Sequence, residues 1–349
     1  MKKIVSISKA RQLYEMLKED IVSGKYASGD KLPSIRDLAE QYSLSKNTVN
    51  TVVAMLVNDG LAVIHEGNGT YVSSTRQQVK MIGVLLFDFR QNMRVDTDIL
   101  QQIQLCLPRN YYLSLMDTSN RYDVFIEALE RMIAMKPEGF LILPPRVQPT
   151  EQEAGRIREL LTGRPTVMLN RTIEGLEADM FSMNLGRGIE KAFEYLAMSG
   201  KQRTAIVLHD DYKFKAEETA AYYRCREKLG IQTQPEFAIE WQLDMEDVAR
   251  RVSAILPEID SLICPDEILL GLQPLIHASG KQIPSELSLI GVNDTVNSRL
   301  FSPPLTSIAF PVERIGRHAV NKLIQRIEGT CDEPFKQVNF EPELILRNT

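Results

Sequence analysis

The sequence predicts two fold classes in one chain: a small α+β head over residues 1–73, and an α/β body over residues 81–349 folded as two lobes, each a parallel sheet flanked by helices. Three observations carry this prediction. The first seventy residues hold three short runs with apolar residues at three–four spacing, then two short strands around glycines. Residues 74–80 are polar and aperiodic, as a linker is. Beyond them, strongly apolar strand-length segments alternate with amphipathic helical ones, and the rhythm runs through twice.

In the head, Ala10, Leu13, Tyr14, Leu17 and Ile21 share one helical face, and Gly24 ends that helix. GKYASGDKLP reads as a turn. Ser34 to Asp37 resemble a capping box, with a carboxylate at the third helical position. Ile35, Leu38, Ala39 and Tyr42 face inward from the second helix. Ser43-Leu44 turns the chain, and Ser45 caps a third helix running to about Asn58. LAVIHEGNGTYV then makes two strands around Glu66-Gly67-Asn68-Gly69. Helix, helix, turn, helix and a two-stranded wing form a winged helix-turn-helix. In the stretch SLSKNTVN, Val49 begins a buried stripe continued by Val52, Val53 and Leu56. The same turn directs Lys46, Asn47, Thr48 and Asn50 outward, where short donors and acceptors reach base edges and phosphates. The plainer alternative is an ordinary solvated helix start.

In the body, MIGVLLF, NYYLSLMDT, GFLILPP and PTVMLNR are strands of a first lobe, and TAIVLHD, FAIEW, DSLICP and LSLIGVND are strands of a second, with helices between them. Near-continuous apolar strands imply parallel sheets covered on both faces. Ligands of such sheets sit at the carboxyl ends of the strands, so the cleft between lobes is the expected pocket. The enzyme signatures GxGxxG, GxxxxGK[ST], GxSxG and HExxH are absent from the sequence. NLGRGIEK (184–191) suits either a tight turn or an anion at a helix N-terminus, and the turn is preferred. Asp210 and Asp211 are read as a solvated loop rather than a carboxylate pair.

Hydrophobic content of 44% and charged content of 25% are those of a soluble globular protein. No apolar run reaches the roughly 18 residues that span a bilayer. The opening MKKIVSISKA has no signal-peptide core, so a cytoplasmic protein without a membrane partner is expected. Cys106, Cys225, Cys264 and Cys331 are scattered, as are the four histidines, so neither disulfides, a metal centre nor a cofactor is expected. Net charge is −5, of which residues 1–72 contribute +1 (nine basic, eight acidic) and the rest −6 (32 and 38).

LPSIRDLAEQYSLSKNTVNTVVAMLVNDGLAVIHEGNGTYV resembles the GntR-type DNA-binding domain, with its P-S-x-R-x-L-A, S-R-x-T-V and G-x-G-T-[FY]-V motifs. The resemblance implies contacts to double-stranded operator DNA from Ser34 and Arg36, from Ser45, Lys46, Asn47, Thr48 and Asn50 in the major groove, and from the wing around Gly67 near the minor groove. Lys46 and Asn50 stand where the family usually has Arg; Asn suits adenine where Arg suits guanine. Glu66 on the wing would repel phosphate.

The body resembles the LacI/GalR-type effector domain, a relative of periplasmic sugar-binding proteins. The carriers are IGVLLFD, KPEGFLILPP, PTVMLNR and IPSELSLIGVNDTVNSRLFSPPLTSIAFPVERIGRHAVNKLIQRI. A GntR-type head on a LacI-type, periplasmic-binding-protein-like body is the architecture of the arabinose-repressor subgroup. By that resemblance the protein is a homodimeric, ligand-responsive transcriptional regulator, a repressor of carbohydrate-utilisation genes released by a sugar or polyol effector. The effector contacts implied are Asp88, Arg171, Glu218, Asp266 and Asn293; Trp241, just past a strand, suits equally an aromatic platform for a sugar ring or interior packing; and the chain is expected to cross between lobes near Arg171, Asp294 and Gly329 to Phe340. Glu218, Pro265 and Asn293 replace the family's usual Arg, Asn and Asp. A different polyol, an oligosaccharide, an amine-bearing ligand or a lost response therefore stay open. The competing reading is a cytosolic small-molecule-binding protein or enzyme of the same fold with no DNA role.

Overall fold

The computed structural model describes residues 9–65, 67–73, 79–86, 94–231, 237–241 and 244–349. They fall into two compact units, Met1–Val79 and Lys80–Thr349. Lys80, expected as the last linker residue, already pairs within the first strand of the body.

In the head, α1 (Lys9–Val22), α2 (Ile35–Gln41) and α3 (Lys46–Asn58) are followed by β1 (Ala62–His65) and β2 (Gly69–Val72). The strands pair antiparallel from Ala62 opposite Val72 to His65 opposite Gly69. Leu13, Tyr14 and Leu17 meet Leu38, Ala39, Val49, Val52, Val53 and Leu56 in one buried cluster closed by Ala62 and Val72. Each fully buried Val or Leu of that set contributes on the order of 1.5–3 kcal/mol. Ser34 and Asp37 form a reciprocal capping box at the start of α2, at 3.2 Å in each direction.

The first lobe of the body contains β3 (Lys80–Leu86), α4 (Arg94–Cys106), β4 (Tyr111–Asp117), α5 (Tyr122–Ala134), β5 (Gly139–Ile142), α6 (Glu151–Leu161), β6 (Thr166–Leu169) and β7 (Asp179–Met183). The second contains α7 (Leu185–Met198), β8 (Thr204–Leu208), α8 (Tyr212–Leu229), β9 (Ala238–Glu240), α9 (Met245–Ile255), β10 (Ser261–Pro265), α10 (Asp266–Ala278), β11 (Ser288–Asn293), α11 (Val296–Leu300) and β12 (Thr306–Ala309). The chain then returns through α12 (Val312–Ile327) and β13 (Gln337–Phe340) to the first lobe, and through β14 (Glu343–Ile345) to the second. The sheet orders are β13-β7-β6-β5-β3-β4 and β14-β12-β11-β10-β8-β9. All pairings are parallel except β12 with β14.

The crossings between lobes differ from those expected. After Arg171 the chain stays in the first lobe, because β7 pairs with β6 (Met168 opposite Met180). After Asp294 it stays in the second, because β12 pairs with β11. The crossings fall instead between β7 and α7, between β12 and α12, and between β13 and β14, just past Phe340. With every parallel strand pointing the same way within its sheet, the strand ends that carry Leu86, Ile142 and Leu169 in one lobe, and Leu208, Pro265 and Asn293 in the other, form the two walls of the expected cleft.

Candidate functional site

In the head, Ser45 caps α3 by accepting from the Thr48 N–H at 3.1 Å, and the Ser45 and Thr48 hydroxyls lie 2.8 Å apart. With the valine face anchored, Lys46, Asn47 and Asn50 are exposed while Thr48 is half-buried. An amide-rich first turn thus stands clear of the core at a helix N-terminus, whose free N–H groups favour anions. The hydroxyls of Ser34 and Ser45 take part in the caps, so these residues place their helices as well as line the surface. Arg36 is exposed and pairs with Glu40, itself exposed, at 3.2 Å, a pair worth little in water. Gly67 is exposed with φ +73°, a left-handed conformation that suits glycine; Glu66 lies outside the described residues. One basic residue was not anticipated. Lys31 forms a β-bridge with Tyr71 and sits against Gly69, where an added Cβ would come 2.9 Å from its Cε. It joins the wing through backbone pairing, which the turn-like sequence GKYASGDKLP does not advertise.

In the body, the two walls of the cleft carry opposite charge. From the first lobe come Arg146, after β5, and Arg171, after β6; from the second come Asp210 and Asp211, between β8 and α8. Arg146 Nη1 bonds both Asp210 oxygens, at 3.0 and 2.8 Å, and the Tyr212 N–H donates to the Arg146 carbonyl at 3.1 Å. Arg171 pairs with Asp211 and donates through Nε and Nη2 to the Pro144 carbonyl, at 3.0 and 2.6 Å. The two arginines and Asp211 are buried, and the Asp210 side chain is only 11% exposed. The solvated-loop reading of Asp210-Asp211 is therefore corrected: the first closes against the opposite lobe and the second also caps α8.

The remaining candidates divide. Asp88 lies outside the described residues. Glu218 is fully buried, with Oε2 accepting the His209 N–H at 2.8 Å and Oε1 2.6 Å from His209 Nδ1, so both of its oxygens are engaged at the end of β8. Burial works against a charged His209, yet the Glu218 carboxylate outweighs it and raises the pKa, with Glu267 and Asp210 adding to the effect. Asp266 is likewise fully buried. It accepts from the Thr295 N–H at 2.6 Å and from the hydroxyls of Thr295 and Ser307, tying the ends of β10, β11 and β12 together. Gly291 is what admits it, since a Cβ there would lie 2.0 Å from Asp266 Oδ1. Burial pushes the Asp266 carboxyl up to about 7 despite those hydrogen bonds. Asn293 is half-buried at the end of β11 with φ +98°. Trp241 is half-buried just past β9, packs on the core, and has a buried Nε1 without a hydrogen-bond partner. Glu267, not anticipated, is half-buried beside His209, Arg146 and Asp210, and burial raises its pKa. The glycine turn at 184–188 does hold an anion, but one of the chain's own: the Leu185 and Gly186 N–H groups donate to Glu217 at 2.8 and 3.4 Å. Among the described residues no group of His, Cys, Asp and Glu is placed to hold a metal.

The model of the family "Bacterial regulatory proteins, gntR family" matches residues 9–72, and that of "Periplasmic binding protein-like domain" matches residues 193–349. The arabinose metabolism transcriptional repressor of Geobacillus stearothermophilus is 24% identical over 99% of this chain and 98% of its own. Among solved structures, a transcriptional regulator CelR–cellobiose complex covers 91% of this chain and 99% of its own at 16% identity and TM-score 0.68. The lac repressor dimer bound to operator and the anti-inducer ONPF covers 78% and 95% at 19% identity and TM-score 0.64. The exposed polar turn on a valine-anchored helix thus lies in a head that matches the gntR family model, and the strand-end cleft lies in a body whose residues 193–349 match the periplasmic-binding-protein-like model and whose fold is that of the lac repressor structures.

Proposed function

We propose that this protein represses carbohydrate-utilisation genes by binding a two-fold symmetric operator as a cytoplasmic homodimer, and leaves it when a sugar or polyol enters the cleft. One observation carries the DNA half: Lys46, Asn47 and Asn50 are exposed on the first turn of a helix whose other face is fully buried. Asn47 and Asn50 present paired donors and acceptors to base edges, with adenine the natural partner of a bidentate amide. Lys46, Arg36 and Lys31 supply phosphate contacts, which hold the head on DNA without reading sequence.

The effector half is supported by the arabinose repressor among the relatives and by the CelR–cellobiose complex among the structures. Asn293 and Trp241 are the candidates that keep groups available to it, an amide and an indole N–H beside an aromatic surface. Arg171 acts as a latch with Asp211, as Arg146 does with Asp210. An effector that alters the balance of these pairs shifts the lobes, and a coupling of about 1–3 kcal/mol relieves repression some 5- to 150-fold.

The test is a gel shift with the DNA upstream of the protein's own gene. Retention at low salt, followed by release on adding one member of a panel of pentoses, hexoses, disaccharides and polyols, is the expected result. Retention that no member of the panel relieves removes the carbohydrate assignment.

A further inference from the structure

The inter-lobe cleft lies at the carboxyl ends of the strands. At the opposite, amino-terminal edge of the first lobe is a separate cavity of about 410 Å³. Its walls come from the end of α6, the segments leading into β6, β7 and β13, and the end of α12. Three arginines line it, Arg158, Arg164 and Arg326, together with Phe335 and a single carboxylate, Glu177.

The arginines are not fully used by the protein. Arg326, with a side chain only 12% exposed, gives Nε to Asp179 at 2.9 Å and Nη1 to the Cys331 carbonyl at 3.1 Å. Its Nη2 is buried with no hydrogen-bond partner. A buried guanidinium N–H left without an acceptor is costly, so a donor that persists there points to an oxygen supplied from outside. The same guanidinium lies 4.4 Å from the centroid of the Phe335 ring, whose other surroundings leave it 45% exposed. Arg164 is exposed, spends only Nε on the Leu160 carbonyl at 3.0 Å, and has no ion pair among the described residues. Arg158 gives Nη1 to the Glu174 carbonyl at 2.7 Å, while its Nη2 pairs with Glu151, which is 80% exposed and easily left. A merely structural Arg326 would account for Asp179 but not for two further guanidiniums and an aromatic wall around the same space.

We propose that this cavity binds a small organic phosphate, separately from the effector cleft. Planar guanidiniums match phosphoryl oxygens in paired, charge-assisted hydrogen bonds. Phe335 gives the carbon part of the ligand an apolar surface, and Glu177 disfavours a second anionic group.

Isothermal titration of the full-length protein with phenyl phosphate tests this, with phenol and sodium sulfate at matched ionic strength as controls. Arg164→Ala is the informative variant, because it removes one exposed side chain and a single helix-end hydrogen bond. Arg164→Lys restores charge without the fork. Saturable binding of phenyl phosphate is expected, weakened about tenfold or more by Arg164→Ala and only partly recovered by Arg164→Lys. Phenol should not saturate, and sulfate, which lacks the ring that Phe335 would meet, should bind more weakly than phenyl phosphate. No saturation below about 10 mM, or an affinity unchanged in Arg164→Ala, overturns the proposal. The second result would mean that the phosphate binds elsewhere, the arginine-lined cleft included. Neither outcome bears on operator binding.

Discussion

Asn50 and Leu56 stand on one helix and separate recognition from stability. Asn50 is exposed, so Asn50→Ala should change the head's unfolding free energy by no more than about 0.5 kcal/mol. It should nonetheless weaken operator binding by about 1–3 kcal/mol. Leu56 is fully buried, and Leu56→Ala should cost about 2–5 kcal/mol of head stability. Urea unfolding and fluorescence anisotropy with labelled DNA read the two quantities. Thr48 cannot serve the same purpose, because its hydroxyl also contacts the Ser45 cap. Asp266 makes a second prediction at this scale. Its folded pKa of about 7 lies above the ordinary carboxylate value of 3.8, so the native state holds a proton that the unfolded chain releases. Its contribution to stability is therefore present below 3.8 and is lost as pH rises to about 7. Asp266→Asn keeps an acceptor for Thr295 and can donate to the Ser307 hydroxyl. Unfolding free energies compared at pH 5 and 8 should fall less with rising pH in the variant than in the native chain. Equal slopes would place the titration on another group. In sequence, Asp266 is a ligand contact only by its match to the family's acidic position. Only the packing of Gly291 and Ser307 around it shows that it faces inward.

At the scale of elements, local pattern and long-range pairing were unequally legible. The three helices and wing of the head are written in periodicity, caps and glycines, and so could be read directly. β7 could not. Its sequence DMFSM has no β-branched residue and begins with an aspartate, yet all five residues are buried. Asp179 is tolerated there because Arg326 and the Lys336 N–H, far along the chain, meet its two oxygens. The Arg146–Asp210 pair was missed for the same reason: neither local segment signals the other. Because that pair is nearly dry, removing one partner leaves a charge uncompensated. Arg146→Ala should destabilise the body by about 3–5 kcal/mol, whereas Arg146→Met combined with Asp210→Leu should cost clearly less. Denaturant unfolding of Arg146→Met, Asp210→Leu and the variant combining them, beside Arg146→Ala, decides it. Additive losses would show that the pair is not coupled.

For the whole molecule, the two arginine–aspartate pairs and the Tyr212–Arg146 backbone bond join the two lobes of the body. The Tyr212 amide should accordingly be protected from hydrogen exchange in the native protein and exchange faster in Asp210→Ala. Exchange at an unprotected rate in the native chain would mean that these contacts do not hold the lobes together. The crossing points explain why sequence alone misplaced the hinge. They depend on which strands become neighbours, and that order is set by sheet pairing rather than by any local motif.

The central claim is that a winged head, with its valine stripe buried, presents the first turn of α3 to DNA. Its most direct test is the ratio of affinities for the protein's own upstream DNA and for random DNA of equal length, measured across a salt series for native protein and Asn50→Ala. Both log affinities of the native protein should fall linearly with the logarithm of salt concentration, its own site should be preferred, and Asn50→Ala should lose the preference while keeping the non-specific binding. Native protein that holds neither DNA at low salt, or a variant with the preference intact, would contradict it.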